Sequence, residues 1–105
     1  MTTIEQKAGI LGASDAREGL RQRERELVLE RIGAGAITPA AEAAVLAAYE
    51  AGYLNGAQRS VAFEQAARNH GLADVPCDRE EPHGEVGRIL KDWAGERGIT
   101  IRFRR

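Results

Sequence analysis

The chain has 105 residues, 43% of them hydrophobic but only 5% aromatic, and its Lys, Arg, Asp and Glu leave a formal net charge of -1. That length suits one domain, 1–105, whose core needs neither metal nor disulfide, and the near-neutral balance removes the simplest case for non-specific nucleic-acid binding. Cys77 has no second cysteine to pair with, the apolar runs fall short of a bilayer's thickness and the first residues lack a basic-then-apolar layout, so a cytoplasmic protein with no membrane segment is expected.

Alanine supplies much of the apolar content, while strand-favouring residues are sparse before the last positions. An all-α fold follows: a compact bundle of about five helices, brought close over small side chains, with one short C-terminal β-strand. Thr2 and Glu5 have capping-box spacing, and Ile4, Ala8 and Leu11 recur at helical intervals until Gly12 offers a stop. Asp15 with Glu18 repeats the start signal for a helix running to Ile32, with Ala16, Leu20, Leu27, Val28 and Ile32 as its apolar contacts. Inside it, RQRERE (21–26) is polar on every face and is expected to stand in water or against a partner. The GAGA stretch from Gly33 ends that helix; it lacks the preceding strand and third glycine of a dinucleotide-binding loop.

Thr38 followed by Pro39 is the sharpest boundary, because threonine caps and proline at the first helical position loses no hydrogen bond. A third helix extends from there to about Ala51, with Val45, Leu46 and Tyr49 as its heavier face, until Gly52 interrupts. Asn55 and Gln58 then open a fourth, with Ala57, Val61, Phe63 and Ala66 inward, capped at Gly71 with Leu72 folding back. LADVPCDREEPHG (72–84), with two prolines and little periodicity, reads as an acidic loop over 74–85. From about Pro82, Val86, Ile89, Leu90, Trp93 and Ala94 form the best amphipathic stripe, closed by Gly98. ITIRFRR alternates Ile99, Ile101 and Phe103 against Thr100, Arg102 and Arg104, a strand pattern whose best internal mate is the run around Ala36 and Ile37.

The corner AYEAGYLNGAQRS (48–60) puts Ala48 four residues before Gly52, as a DNA-reading helix-turn-helix does. Where a recognition helix needs branched apolar anchors it offers Asn55 and Gln58, so a structural corner is the better reading. His70, Cys77, Asp78 and His83 are metal-capable but lack paired-ligand spacing, and no nucleophile-elbow motif surrounds Ser60 or Cys77, so no metal, cofactor or catalytic set is expected. Trp93 fits a core anchor, and Tyr49 and Tyr53 lie one helical step apart at the edge of the core.

From Arg88 onward six cations face two acids, a local +4 against -5 for the rest of the chain. A basic ending on an acidic body fits a protein that binds a macromolecular partner stoichiometrically and performs no catalysis. The candidate contact residues are Arg21, Arg23 and Arg25 in the charged helix, Arg102, Arg104 and Arg105 at the end, and Tyr53. In size, near absence of cysteine and lack of catalytic signatures, the whole chain resembles the small anti-CRISPR inhibitors encoded by phages and other mobile elements. That resemblance carries over no functional residue. It implies a protein or ribonucleoprotein partner, a CRISPR effector whose nucleic-acid path is obstructed. The alternatives are a small helix-turn-helix-like DNA-binding regulator and a homo-oligomer joined through terminal strands.

Overall fold

A computed structural model of the chain describes residues 3–67, 74–82 and 84–104. In chain order it contains α1 (Ile4–Arg17), α2 (Arg25–Ile32), α3 (Pro39–Ala67), β1 (Asp74–Glu80), α4 (Gly84–Glu96) and β2 (Thr100–Arg104). The chain is mostly helical, as its alanine content requires, but four helices replace the expected five and a second strand joins the terminal one among the described residues.

Gly52 accounts for the difference in helix count, and Gly12 for a boundary that moves along the chain. The sequence pattern places a stop at Gly12 and a new start at Asp15, yet α1 passes through both. It likewise places an interruption at Gly52, and α3 continues through it as a single 29-residue helix. Each glycine is a point of contact between helices rather than a break. A Cβ added at Gly12 would meet the Tyr49 carbonyl and lie 2.7 Å from the Tyr53 nitrogen; one at Gly52 would lie 2.8 Å from the Gly9 carbonyl carbon; one at Gly56 would come within 2.7 Å of the Ala13 carbonyl oxygen. With Ala8 and Ala16 fully buried in the same interface, α1 and α3 meet nearly backbone to backbone, which a larger side chain at these points would prevent.

The helix ends follow local chemistry. Thr3 caps α1 in a complete capping box: its hydroxyl accepts from the Gln6 N–H at 3.1 Å, and the Gln6 side-chain oxygen accepts from the Thr3 N–H at 2.9 Å. The expected cap at Thr2 lies outside the described residues. Thr38 caps α3 as expected, accepting from the Ala41 N–H at 3.1 Å, with Pro39 in the first position. Gly33 ends α2 in the left-handed conformation, φ 68°. Gly98, φ 71°, ends α4, and the Ile99 N–H returns to the Ala94 carbonyl at 2.9 Å. The expected cap at Gly71 with Leu72 lies outside the described residues.

The segment expected as an acidic loop contains β1, and β1, not the run around Ala36 and Ile37, is the mate of the terminal strand. The two pair in parallel, Asp74 opposite Thr100, Val75 opposite Ile101 and Pro76 opposite Arg102, with an irregularity before Glu80 meets Arg104. Parallel strands need a crossover, and α4 supplies it. The α4 stripe behaves largely as its spacing predicts: Val86, Leu90 and Ala94 are buried, while Ile89 stays at the exposed edge. Trp93 is half-buried against the core, with the Arg97 guanidinium carbon 4.8 Å from its ring centroid.

The main core joins Ala8 and Ala16 of α1, Val28 and Ile32 of α2, Val45, Tyr49, Tyr53 and Ala57 of α3, and Val86 and Leu90 of α4. Further along α3, Val61 packs with Ala94 and Ile99. Phe63, expected to face inward, is instead exposed, as are Leu20 and Leu27. The molecule is elongated, 47 × 23 × 23 Å; α3 alone, at 1.5 Å per residue, is about 44 Å long. No helix among the described residues is long and apolar enough to cross a membrane.

Candidate functional site

Arg21 and Arg23 do not ride on a projecting helix, and Arg25 is the first residue of α2. Residues 18–24 connect α1 to α2, and this connector is drawn onto the body by a buried carboxylate. Asp15, 2% exposed, faces out of the last turn of α1 toward Arg23. Arg23 grips it with two hydrogen bonds, Nε to Oδ2 at 2.8 Å and Nη2 to Oδ1 at 3.1 Å. Tyr49 of α3 donates its hydroxyl to the same Oδ2 at 2.8 Å and accepts the backbone N–H of Arg23 at 2.9 Å. α1, the connector that follows it and α3 thus meet at one carboxylate. One turn further along α3, Tyr53 donates its hydroxyl to the Leu20 carbonyl at 2.6 Å and fixes the start of the same connector.

The electrostatics match this closure. The hydrogen bonds that Arg23 donates to Asp15 hold the Arg23 guanidinium pKa above its ordinary value, with burial opposing. Burial pushes the Tyr49 phenol well above the usual tyrosine range; the Arg23 N–H opposes this, and the adjacent Asp15 carboxylate adds to it. Both carboxylate oxygens of Asp15 are engaged, and the fork geometry of Arg23 suits a partly buried pair better than a lysine would.

These contacts redistribute the expected binding residues. Arg23 is committed to Asp15 and only 30% exposed. Arg25 is exposed but pairs with Glu42 of α3 and with Glu26 at 3.2 Å, and the Glu42 hydrogen bond raises its pKa. Arg21 is exposed on the connector. Tyr53 is 1% exposed and belongs to the core, so it presents no outer contact surface. The 21–25 stretch is therefore mainly a fastening of the fold, with Arg23 and Arg25 turned toward the protein's own acids.

The C-terminal set is placed differently. Ile101 and Phe103 are partly buried against the core, as the alternating pattern requires, and Arg102 is exposed between them. The Arg104 backbone completes β2, while Arg105 lies outside the described residues. Among the described residues the sheet has only the two strands, so β2 is paired on one side and presents its other edge. Beside it lies an open recess of about 360 Å³ lined by Glu81, Lys91, Ile99, Thr100, Ile101 and Phe103, where Lys91 and Glu81 form an ion pair. The outer side of α4 carries a small network of its own, in which Arg88 bonds Glu85 at 2.8 Å and Asp92 at 3.2 Å; the Arg88 hydrogen bond holds the Glu85 carboxyl below its ordinary value.

No cluster of metal-ligating side chains occurs among the described residues. His70 and His83, and the side chains of Cys77 and Asp78, lie outside them. The Asp15–Arg23–Tyr49 cluster was not visible in the sequence, since an eight-residue spacing and a partner thirty-four positions away leave no local signature. In comparisons with known proteins, no family model, no curated protein and no solved structure matches this chain.

Proposed function

We infer that the protein is a non-enzymatic binding module that acts stoichiometrically on a protein or ribonucleoprotein complex, with its arginine-bearing terminal strand as the contact. The observation that supports this reading is the position of β2. Its apolar residues Ile101 and Phe103 hold it to the body, Arg102 is exposed, and one backbone edge faces away from β1. Such an edge accepts an extended segment of a partner by strand addition, while arginines along it select acidic groups. If the likeness in scale to anti-CRISPR inhibitors extends to activity, the complex held is a CRISPR effector kept from its nucleic acid.

The reading is tested by recovering the native partner with a tagged full-length chain. Arg102→Ala with Arg104→Ala is expected to weaken recovery and to flatten its dependence on salt. Unchanged recovery at two ionic strengths would remove β2 from the contact. A mobility-shift assay with mixed duplex DNA is expected to show no binding. A shift that fades as salt rises would instead favour a DNA-binding regulator, one acting without the helix corner at Gly52, because α3 is continuous there.

A further inference from the structure

On the side of the molecule formed by α1 and α2 lies an open groove of about 420 Å³, lined by Lys7, Ile10, Leu11, Ser14, Arg31 and Ile32. The four α1 residues fall at i, i+3, i+4 and i+7 and so share one face of that helix. Ile10 is 63% exposed at the centre of that face. On α2, the exposed Leu27 stands one helical step before Arg31. The result is a shallow trough with an apolar floor and a cation on each wall.

Charge decides what fits it. Among the described residues Lys7 and Arg31 have no ion-pair partner, and neither has Arg17, which follows Ile10 on the same side of α1. Nearby cations are already answered: Arg23 by Asp15, Arg25 by Glu42 and Glu26. Glu18, the acid at the end of the α1 face, lies close enough to Arg23 to raise its pKa. A second copy of the chain is a poor occupant, because a two-fold contact through this groove would bring one cation-rimmed face against an identical one. From Lys7 to Arg17 the face is about 15 Å long, two to three helical turns.

We propose that the groove between α1 and α2 docks an acidic amphipathic helix of a partner protein. Its apolar side chains at i, i+3 or i+4 and i+7 rest on Ile10, Leu11 and Ile32, and its flanking carboxylates meet Lys7 and Arg31. The surface is distinct from the β2 edge and does not depend on it.

The test is to pan a displayed library of amphipathic helices, roughly 15 residues long, against the full chain and to map recovered peptides by backbone amide shifts. The expected winners carry acids on both flanks and shift residues of α1 and α2 around Ile10 and Arg31. Reversing the rim with Lys7→Glu and Arg31→Glu should weaken them by about tenfold or more, and Ile10→Asp should abolish binding, while Arg102→Ala with Arg104→Ala leaves it intact. All three substituted groove residues are exposed, so unchanged circular dichroism is the expected control. The proposal is overturned if no helix is recovered, if basic or neutral helices win, or if shifts map elsewhere. It is equally overturned if sedimentation shows two copies joined in a way that Ile10→Asp breaks, or if phosphatidylserine vesicles displace the peptides.

Discussion

Replacing Gly52 by alanine adds one methyl group where α3 rests on α1. That carbon would lie 2.8 Å from the carbonyl carbon and 2.9 Å from the Cα of Gly9, with the carbonyl oxygen nearer still. All three are backbone atoms with no rotamer to yield, so α1 must withdraw by a distance on the order of an ångström, opening the neighbouring contacts at Gly12 and Gly56 as well. Overpacking of this kind costs about 3 kcal/mol, and the better helix propensity of alanine returns about 1, for a net loss of about 2 kcal/mol. For a domain of this size that lowers the melting temperature by roughly 8–16 °C. Thermal unfolding followed by circular dichroism reads it directly, with Gly95→Ala as the matched control. Gly95 is an exposed α4 glycine with nothing within 4 Å of its would-be Cβ, so the same substitution there should raise stability by about 0.5–1 kcal/mol. A Gly52→Ala protein that melts at or above the parent temperature would refute close packing of α1 on α3 and restore Gly52 to a turn.

Asp15→Ala removes the carboxylate on which α1, the connector and α3 converge, and strands the Arg23 guanidinium and the Tyr49 hydroxyl. A loss of about 3 kcal/mol in urea unfolding is expected, with strong non-additivity against Arg23→Ala; simple additivity would show that the pair does not act together. Tyr49 gives a pH signature. Its folded-state pKa lies above the unfolded value, so its contribution to stability is complete below about pH 10 and is lost as pH rises through the folded value. Stability profiles should therefore fall on the alkaline side, and Tyr49→Phe should flatten that limb; identical alkaline profiles would contradict the burial of this phenol.

What could be read from the residues was what depends on near neighbours. Thr38 and Pro39 start α3, Gly33 and Gly98 close α2 and α4, and the spacing of Val86, Leu90 and Ala94 identifies the inward face of α4. Gly12 and Gly52 are ambiguous in the sequence because a glycine in a helical pattern has two causes, a backbone turn or a close neighbour, and only the second element distinguishes them. A signal was present in the recurrence of small residues at Ala8, Gly12 and Ala16 and at Ala48, Gly52 and Gly56, four apart on each helix. β1 was hidden for a related reason: Pro76 and its acidic flank argue against a strand locally, and the segment is extended because β2, some twenty-five residues later, pairs with it. The arginines at 21–25 looked like a contact surface because the sequence does not show that the acids answering them, Asp15 and Glu42, come from other helices. Lys7, Ile10 and Arg31 form no motif in the sequence, since their significance lies in the trough that two helices make together.

The seam between α1 and α3 also limits how damage to it can be repaired. When a core side chain grows, a neighbour can usually shrink in exchange, and paired replacements of that kind let a sequence drift. Opposite Gly52 stands the Gly9 main chain, and opposite Gly12 the main chain of Tyr49 and Tyr53, so nothing there can be trimmed. Suppressors of a bulky change along this line must then arise at remote positions that stabilise the molecule as a whole.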